Sequence, residues 1–330
     1  MIDVRPGFGK LSLRSLNAWL LGTYVADREW ESRTAILSLY TPLDPTAGPR
    51  LLVKQPAEWS AERAEAAFAT LDTCRSSAQD CGEPHFVPQP YWWGASPPFL
   101  CMEWVDGAPL MALIRDRLVQ HEPLPHEWLA TIAFEVGAKV ARYHEAFAPV
   151  VSSLTSEGLV AESRRSRGRF ARLAQFIAGP AAVAVGTPVR TLGDSGPNNI
   201  VMDRDGRAWL IDLPVRAHVR PAQWDIARMA HRLLRSAEQA LGDAWRPHRQ
   251  LDDNVVDAIM AGYSAHGPPI ANTGASIALV YAYLATEALI SVLTDLKSKP
   301  RRPAGASRET LRAVESAVRA RRPGRRRPSP

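Results

Sequence analysis

Cysteine is scarce in this 330-residue chain: Cys74, Cys81 and Cys101 are the only three. An odd count without a Cys-x-x-Cys pair excludes a disulfide scaffold and a zinc ribbon, and it fits a reducing, cytoplasmic compartment. Long uninterrupted apolar stretches are also missing. The longest, residues 275–294, is nearly long enough to cross a bilayer, but Glu287 sits inside it and Thr, Ser and Tyr recur. A buried helix accounts for that pattern, so no membrane span is expected. Asp3, Pro6 and Gly7 precede a short apolar run at 18–26, which is not the layout of a signal peptide. No internal repeat occurs. Positive charge, finally, is missing from most of the chain. The formal charge is +6, yet residues 297–330 hold twelve Lys/Arg against Glu309 and Glu315; that net of +10 leaves −4 for residues 1–296. The pI near 9.5 thus describes a tail, and a nucleic-acid-binding body is not expected.

Hydrophobic residues make up 46% of the chain and charged residues 22%, enough to bury a sizeable core. The length suits one two-lobed enzyme or two small domains. Residues 33–40 and 50–54 read as strands separated by a Pro/Gly/Asp turn. Residues 60–76 read as a helix with Ser60 as N-cap and Glu62 in the first turn. A Pro-rich loop follows at 84–98, then an apolar run from Phe99 to Val105 closed by Asp106-Gly107. Beyond Gly107, segments 108–118, 126–147, 224–242, 253–265 and 275–297 carry helical periodicity, interrupted by one hairpin at 199–212. The expected division is a strand-rich lobe over 1–102, a hinge at 103–107, a helical lobe over 108–297 that carries the hairpin segment 191–213, and a basic, largely disordered tail at 298–330, with a short helix at 307–320.

The segment 191–213, TLGDSGPNNIVMDRDGRAWLIDL, carries the chemistry. Asp205-Gly206 signals a two-residue type I′ turn. With that loop Arg204 faces Arg207, and Asn199 faces Asp212. Directly opposed residues hold their Cβ atoms about 5 Å apart, so an amide oxygen and a carboxylate can share one hard cation. Such oxygen ligands suit Mg²⁺, which takes few protein ligands and fills its shell with phosphates and water. Asp194 enters the same hairpin and places a second carboxylate nearby.

The order Asp194-x4-Asn199, a short hairpin, then Ile211-Asp212 resembles the catalytic segment of the protein-kinase-like phosphotransferases, most of all the aminoglycoside phosphotransferase/choline kinase branch. Lys54 ends the strand LLVK. RAEAAFATL, with Glu65, is similar to that family's Arg-Glu-Ala helix. FLCMEWVDG at 99–107 looks like the strand and hinge between lobes, KVARYHEAF at 139–147 like the helix before the catalytic segment, and WDIARMAH at 224–231 like the helix after it. The resemblance spans residues 20–295. It implies an α+β, bilobal protein-kinase-like fold with a small β-rich N-lobe and a larger helical C-lobe.

The resemblance also implies an ATP- and Mg²⁺-dependent kinase acting on a hydroxyl. Asp194 would orient and deprotonate the acceptor, and Asn199 and Asp212 would hold Mg²⁺. Lys54 would reach the phosphates, held by Glu65, with Glu62 as the rival partner. The backbones of Glu103 and Val105 would bond the adenine edge. Asp225 would brace the catalytic loop or serve as a plain N-cap, and His144 reads as structural.

Three features depart from the family pattern. No GxGxxG precedes β-like residues 33–40, and Arg28 or Ser32 is left to replace its backbone donors. The motif histidine is Leu192, and Leu213-Pro214 follows Asp212. An intact ionic set of Lys54, Asp194, Asn199 and Asp212 favours an active enzyme. A Ser/Thr-phosphorylating subunit of a modified-peptide pathway and a catalytically weak binding protein are the alternatives. The arginine-rich insert 161–173 reads either as a solvated helix face or, if it faces the cleft, as a patch that would repel polycationic aminoglycosides and favour an anionic or neutral hydroxyl-bearing small molecule or peptide. The tail is a candidate contact for an acidic partner protein. Because the tail adds charge and no core, truncation after Ala306 is expected to leave the melting temperature unchanged within a degree or so; a drop of many degrees would show that it packs on the body.

Overall fold

The computed structural model describes residues 10, 12–32, 34–46, 48–83, 85–119, 126–152, 188–193, 196–215, 218–241, 250–267 and 276–287. Asp194, the insert 161–173, the helix expected at 307–320 and the basic tail lie outside them. The chain packs as two compact units, Met1–Leu110 with Asn199–Val215, and Met111–Asn198 with Arg216–Pro330.

In the first unit the Ser12 hydroxyl accepts the Ser15 N–H and caps helix α1 (Leu13–Thr23). Strands β1 (Tyr24–Glu31), β2 (Ala35–Pro42) and β3 (Leu51–Pro56) follow. Helix α2 (Ala61–Asp80) begins as expected at Ser60, whose hydroxyl accepts the Arg63 N–H. Strands β4 (Pro90–Ala95) and β5 (Pro98–Glu103) complete an antiparallel sheet in the order β1-β2-β3-β5-β4. One face of this sheet is sealed by α1. Leu16 and Leu20 pack there with Leu51, Val53, Phe99, Cys101 and Trp92. Both α1 and β4 go beyond the sequence reading, which put a loop at 84–98. The prolines there begin strands, where a missing N–H costs no ladder bond. Between them Tyr91, Trp92 and Trp93 supply buried aromatic surface that favours a pleated strand.

After β5 the chain makes β6 (Gly107–Pro109) and helix α3 (Leu110–Val119). Helices α4 (His126–Ala146) and α5 (Ala148–Ser152) and strand β7 (Pro188–Arg190) come next. A 3-10 turn, Pro197–Asn199, leads into β8 (Ile200–Asp203) and β9 (Ala208–Leu210). These two strands pair with β6 in the order β6-β8-β9, inside the first unit. Strand β10 (Val219–Pro221) pairs with β7, and helices α6 (Ala222–Leu241), α7 (Gln250–His266) and α8 (276–287) follow. The fold class is α+β, an antiparallel sheet in the N-terminal region and a helical C-terminal part. Among the described residues no helix is long and apolar enough to cross a membrane.

The second unit is built on an unusually close helix pair. A Cβ on Gly137 of α4 would meet the Ile259 carbonyl oxygen at 2.2 Å, and one on Gly262 of α7 would meet the Phe134 carbonyl oxygen at 2.0 Å. Each glycine thus lets the backbone of the other helix reach van der Waals contact. We expect Gly137→Ala or Gly262→Ala to destabilise by about 2 kcal/mol or more through forced separation of the helices. Gly22 of α1 has nothing within 4 Å of its would-be Cβ, so Gly22→Ala should be neutral or stabilising by up to ~1 kcal/mol. Thermal or denaturant unfolding of the three variants checks the contrast.

Candidate active site

The hairpin that carries Asn199 and Asp212 has a different register from the expected one. Ile200 pairs with Leu210, Val201 with Trp209 and Met202 with Ala208. Asp203 N–H donates to the Arg207 carbonyl and Gly206 N–H to the Asp203 carbonyl, so the loop has three residues and not two. Gly206 occupies its left-handed position at φ +79°, the arrangement of a turn closed by a glycine bulge. The Asp203 carboxylate stabilises this longer loop by accepting the Asp205 and Arg207 N–H groups and the Trp209 indole N–H. Burial opposes ionisation of Asp203, but those hydrogen bonds and the Arg207 charge outweigh it and hold its pKa below the usual carboxylate value. One extra loop residue moves the pairing by one. Asn199 therefore faces Ile211, whose N–H donates to the Asn199 carbonyl at 2.9 Å.

Asp212 leaves the strand in a left-handed conformation, φ +55°. That costs a non-glycine residue about 1–2 kcal/mol, and Asp tolerates it better than most. The bend brings its carboxylate to the Lys54 ammonium, Oδ1 to Nζ 2.5 Å, across 158 residues of sequence. The Lys54 side chain is 14% exposed and that of Asp212 51%, so the cation is sheltered and the carboxylate keeps an open side. Lys54 also lies over the Trp59 ring at 5.7 Å, while Arg63 lies over the same ring at 5.8 Å.

The other expected positions divide. Glu65 is exposed on α2; the partner of Lys54 is Asp212 and not Glu65. The rival Glu62 interacts with the Ser60 hydroxyl at the start of its own helix, which lowers its pKa. Glu103 ends β5, donates its N–H to the Gln89 carbonyl and accepts the Gln89 N–H on its carboxylate. Val105 lies just beyond, and no backbone carbonyl among the described residues takes its N–H. Its side chain is buried against Val201 and Trp209, with Ile211 packed on the group. Sequence reading missed this apolar cluster, because a hairpin shifted by one residue assigns its side chains to the wrong face. Asn199 closes the 3-10 turn and is half-buried.

Asp194 is outside the described residues, but the backbone at Thr191 and Leu192 before it is held by hydrogen bonds. Asp225, 3% exposed, accepts the Leu192 N–H at 2.8 Å and contacts His144 Nε2 at 2.9 Å. It is therefore a brace for this segment and more than an N-cap. The Tyr263 hydroxyl is 2.8 Å from His144 Nδ1. Burial, aided by the Asp225 charge, pushes the Tyr263 pKa far up. The Asp225 carboxylate is an acceptor, so the short contact at Nε2 is an N–H of His144 donating to it. Leu192, where the family pattern has histidine, is buried and contributes its backbone N–H instead.

Among the described residues no group of three or more His, Cys, Asp or Glu gathers to hold a metal. The donors expected from the sequence, the open Asp212 carboxylate and the Asn199 amide, are both hard oxygen ligands. That set fits a cation such as Mg²⁺ that takes most of its shell from phosphates and water, and it does not fit an all-protein cage.

No family model and no curated protein matches the chain. Solved structures do. An amicoumacin kinase in complex with AMP-PNP, Ca²⁺ and Ami is 11% identical, with 93% of each chain covered and a TM-score of 0.51. A spectinomycin phosphotransferase in complex with ADP and spectinomycin is 11% identical over 94% of this chain and 98% of its own, TM-score 0.46. A choline kinase from Cryptosporidium parvum Iowa II is 11% identical over 91% and 89%, TM-score 0.44. The first of these establishes the fold class: the chain has a protein-kinase-like fold.

The buried brace gives a stability test. Asp225→Ala strands the Leu192 N–H and the His144 imidazole in the interior and should cost about 3 kcal/mol. Tyr263→Phe removes one hydroxyl from the same network and should cost about 1 kcal/mol. Denaturant unfolding followed by circular dichroism checks both values and their order.

Proposed function

We propose that the chain is an ATP- and Mg²⁺-dependent phosphotransferase that moves the γ-phosphoryl group of ATP to a hydroxyl of a small molecule. The observation that carries this reading is the contact of Lys54 with Asp212, which is 51% exposed. A lysine from the sheet and a carboxylate from the hairpin converge on one point, with opposite charges that a metal-bound triphosphate would engage separately. Asp212 keeps an open side for this exchange.

Phosphoryl transfer asks a protein for positioning and charge neutralisation more than covalent chemistry. Lys54 is the compact, flexible point charge for the phosphates. The backbones of Glu103 and Val105 are the candidates for the nucleobase edge, with Val201, Trp209 and Ile211 as apolar support. Asp212 and Asn199 would hold the Mg²⁺, which supplies charge neutralisation at the phosphates when bound. Asp194 would accept the proton of the acceptor hydroxyl as the oxygen–phosphorus bond forms and the bond to ADP breaks. Asp225 and His144 support this role at one remove, by fixing the backbone two residues before Asp194. Glu65 keeps a role only if nucleotide binding frees Lys54 from Asp212.

Thermal-shift titration with ATP, with and without Mg²⁺, and an ATP-turnover assay test the reading. Wild type should be stabilised by ATP, and more so with Mg²⁺. Asp212→Asn should lose the Mg²⁺-dependent part of the shift. Lys54→Ala and Lys54→Arg should both lose most turnover while remaining folded. Asp194→Asn should keep the Mg·ATP shift and lose about 10²–10⁴-fold in turnover, the usual worth of a positioned general base. Near-wild-type turnover in Lys54→Ala would overturn the assignment.

A further inference from the structure

The absence of a glycine-rich loop leaves open what retains the nucleoside. Cross-strand pairing answers where to look. Trp30 of β1 pairs with Leu37, Leu37 with Lys54, and Lys54 with Leu100. Directly paired residues share a face, so Trp30 lies on the Lys54 face, opposite to the one sealed by α1. Two strand spacings, about 10 Å, separate the two backbones. Arg28 pairs with Leu39 and Leu39 with Leu52, which places Arg28 on the same face.

The Trp30 indole reaches over this face to the residue between Glu103 and Val105. The Trp30 and Trp104 ring centroids are 6.2 Å apart at 83°, an edge-to-face pair. Arg28 lies over the Trp30 ring at 5.4 Å and Arg50 over the Trp104 ring at 5.9 Å. The two arginines differ in their other contacts. Arg50 is neutralised by Asp27 and Asp106, whereas Arg28 has no ion pair among the described residues. The Trp104 indole nitrogen is buried and finds no acceptor among the described residues. The face that carries Lys54 thus also offers two indoles and, among the described residues, one cation without an ion pair and one buried donor without an acceptor. That combination fits a ligand with a flat ring, polar oxygens and negative charge.

We propose that Trp30 and Trp104 form an aromatic clamp for the nucleoside portion of the bound nucleotide, with Arg28 beside it, replacing the hold that glycine-loop amides give on the phosphates. The inference rests on the phosphotransferase reading and adds the residues that hold the base. Retention then comes from stacking, which is tolerant of base identity, and Lys54 keeps the phosphate end.

Calorimetric titration of the full chain with ADP and, separately, with inorganic tripolyphosphate tests the clamp. Trp30→Ala should weaken ADP binding about five- to hundredfold and leave tripolyphosphate binding within twofold. Trp30→Phe, which keeps a ring, should recover most of the ADP affinity and guards against a folding defect in Trp30→Ala. Lys54→Ala should weaken both ligands. At saturating ATP the turnover of Trp30→Ala should fall less than threefold while its KM for ATP rises. Unchanged or tighter ADP binding in Trp30→Ala, or equal losses for ADP and tripolyphosphate, would overturn the clamp while Lys54-dependent binding left the phosphotransferase reading standing. If wild type binds neither ADP nor ATP, both readings fall.

Discussion

The ion pair between Lys54 and Asp212 is the contact on which the candidate site in the first unit depends. It joins a strand of the N-terminal sheet to a hairpin 158 residues further along. The hairpin has no core of its own. Val201 and Trp209 are buried together with Val105, and the Leu210 N–H donates to the Phe86 carbonyl. Strand β6 supplies a pairing edge through Gly107–Pro109. Backbone pairing and apolar burial dock the hairpin, and the left-handed bend at Asp212 then directs one carboxylate at one ammonium. A strained conformation at that position persists because its surroundings fix it on both sides.

The second unit solves a different problem, which is to hold an irregular segment at a fixed place. The backbone at Thr191 and Leu192 belongs to no helix. Its polar groups are met by His218, whose carbonyl accepts the Thr191 N–H, and by Asp225. Asp225 is in turn oriented by His144 from α4, and His144 by Tyr263 from α7. Those two helices stay in reach because Gly137 and Gly262 let their backbones touch. Small residues in a helix pair and a buried carboxylate are therefore parts of one device, which fixes the backbone that leads to Asp194.

Much of this was legible in the sequence. Ser60 caps α2 as its position before an Ala/Glu-rich run indicated. The strands expected at 33–40 and 50–54 appear as β2 and β3, and the helical periods appear as α3, α4, α6 and α7. The motif order around Asp194, Asn199 and Asp212 pointed to the protein-kinase-like fold that the structural comparison supports. These signals are local, or depend only on order along the chain, and such information survives without coordinates.

The sequence by itself determined which residue types are available and which segments become strands or helices, because capping, periodicity and turn chemistry act within a few residues. Only the tertiary structure decided the pairings. A three-residue loop, favoured by the Asp203 carboxylate, moved Asn199 from opposite Asp212 to opposite Ile211. The bend at Asp212, and not the register, delivered its carboxylate to Lys54, leaving Glu65 in solvent. The meeting of Trp30 with Trp104 required the pairing of β1 with β2 through a bulge between Ala26 and Arg28. Each outcome turns on a single backbone torsion or one inserted residue, and a change that small in the chain redirects a side chain to another face. Composition and spacing carry no record of it.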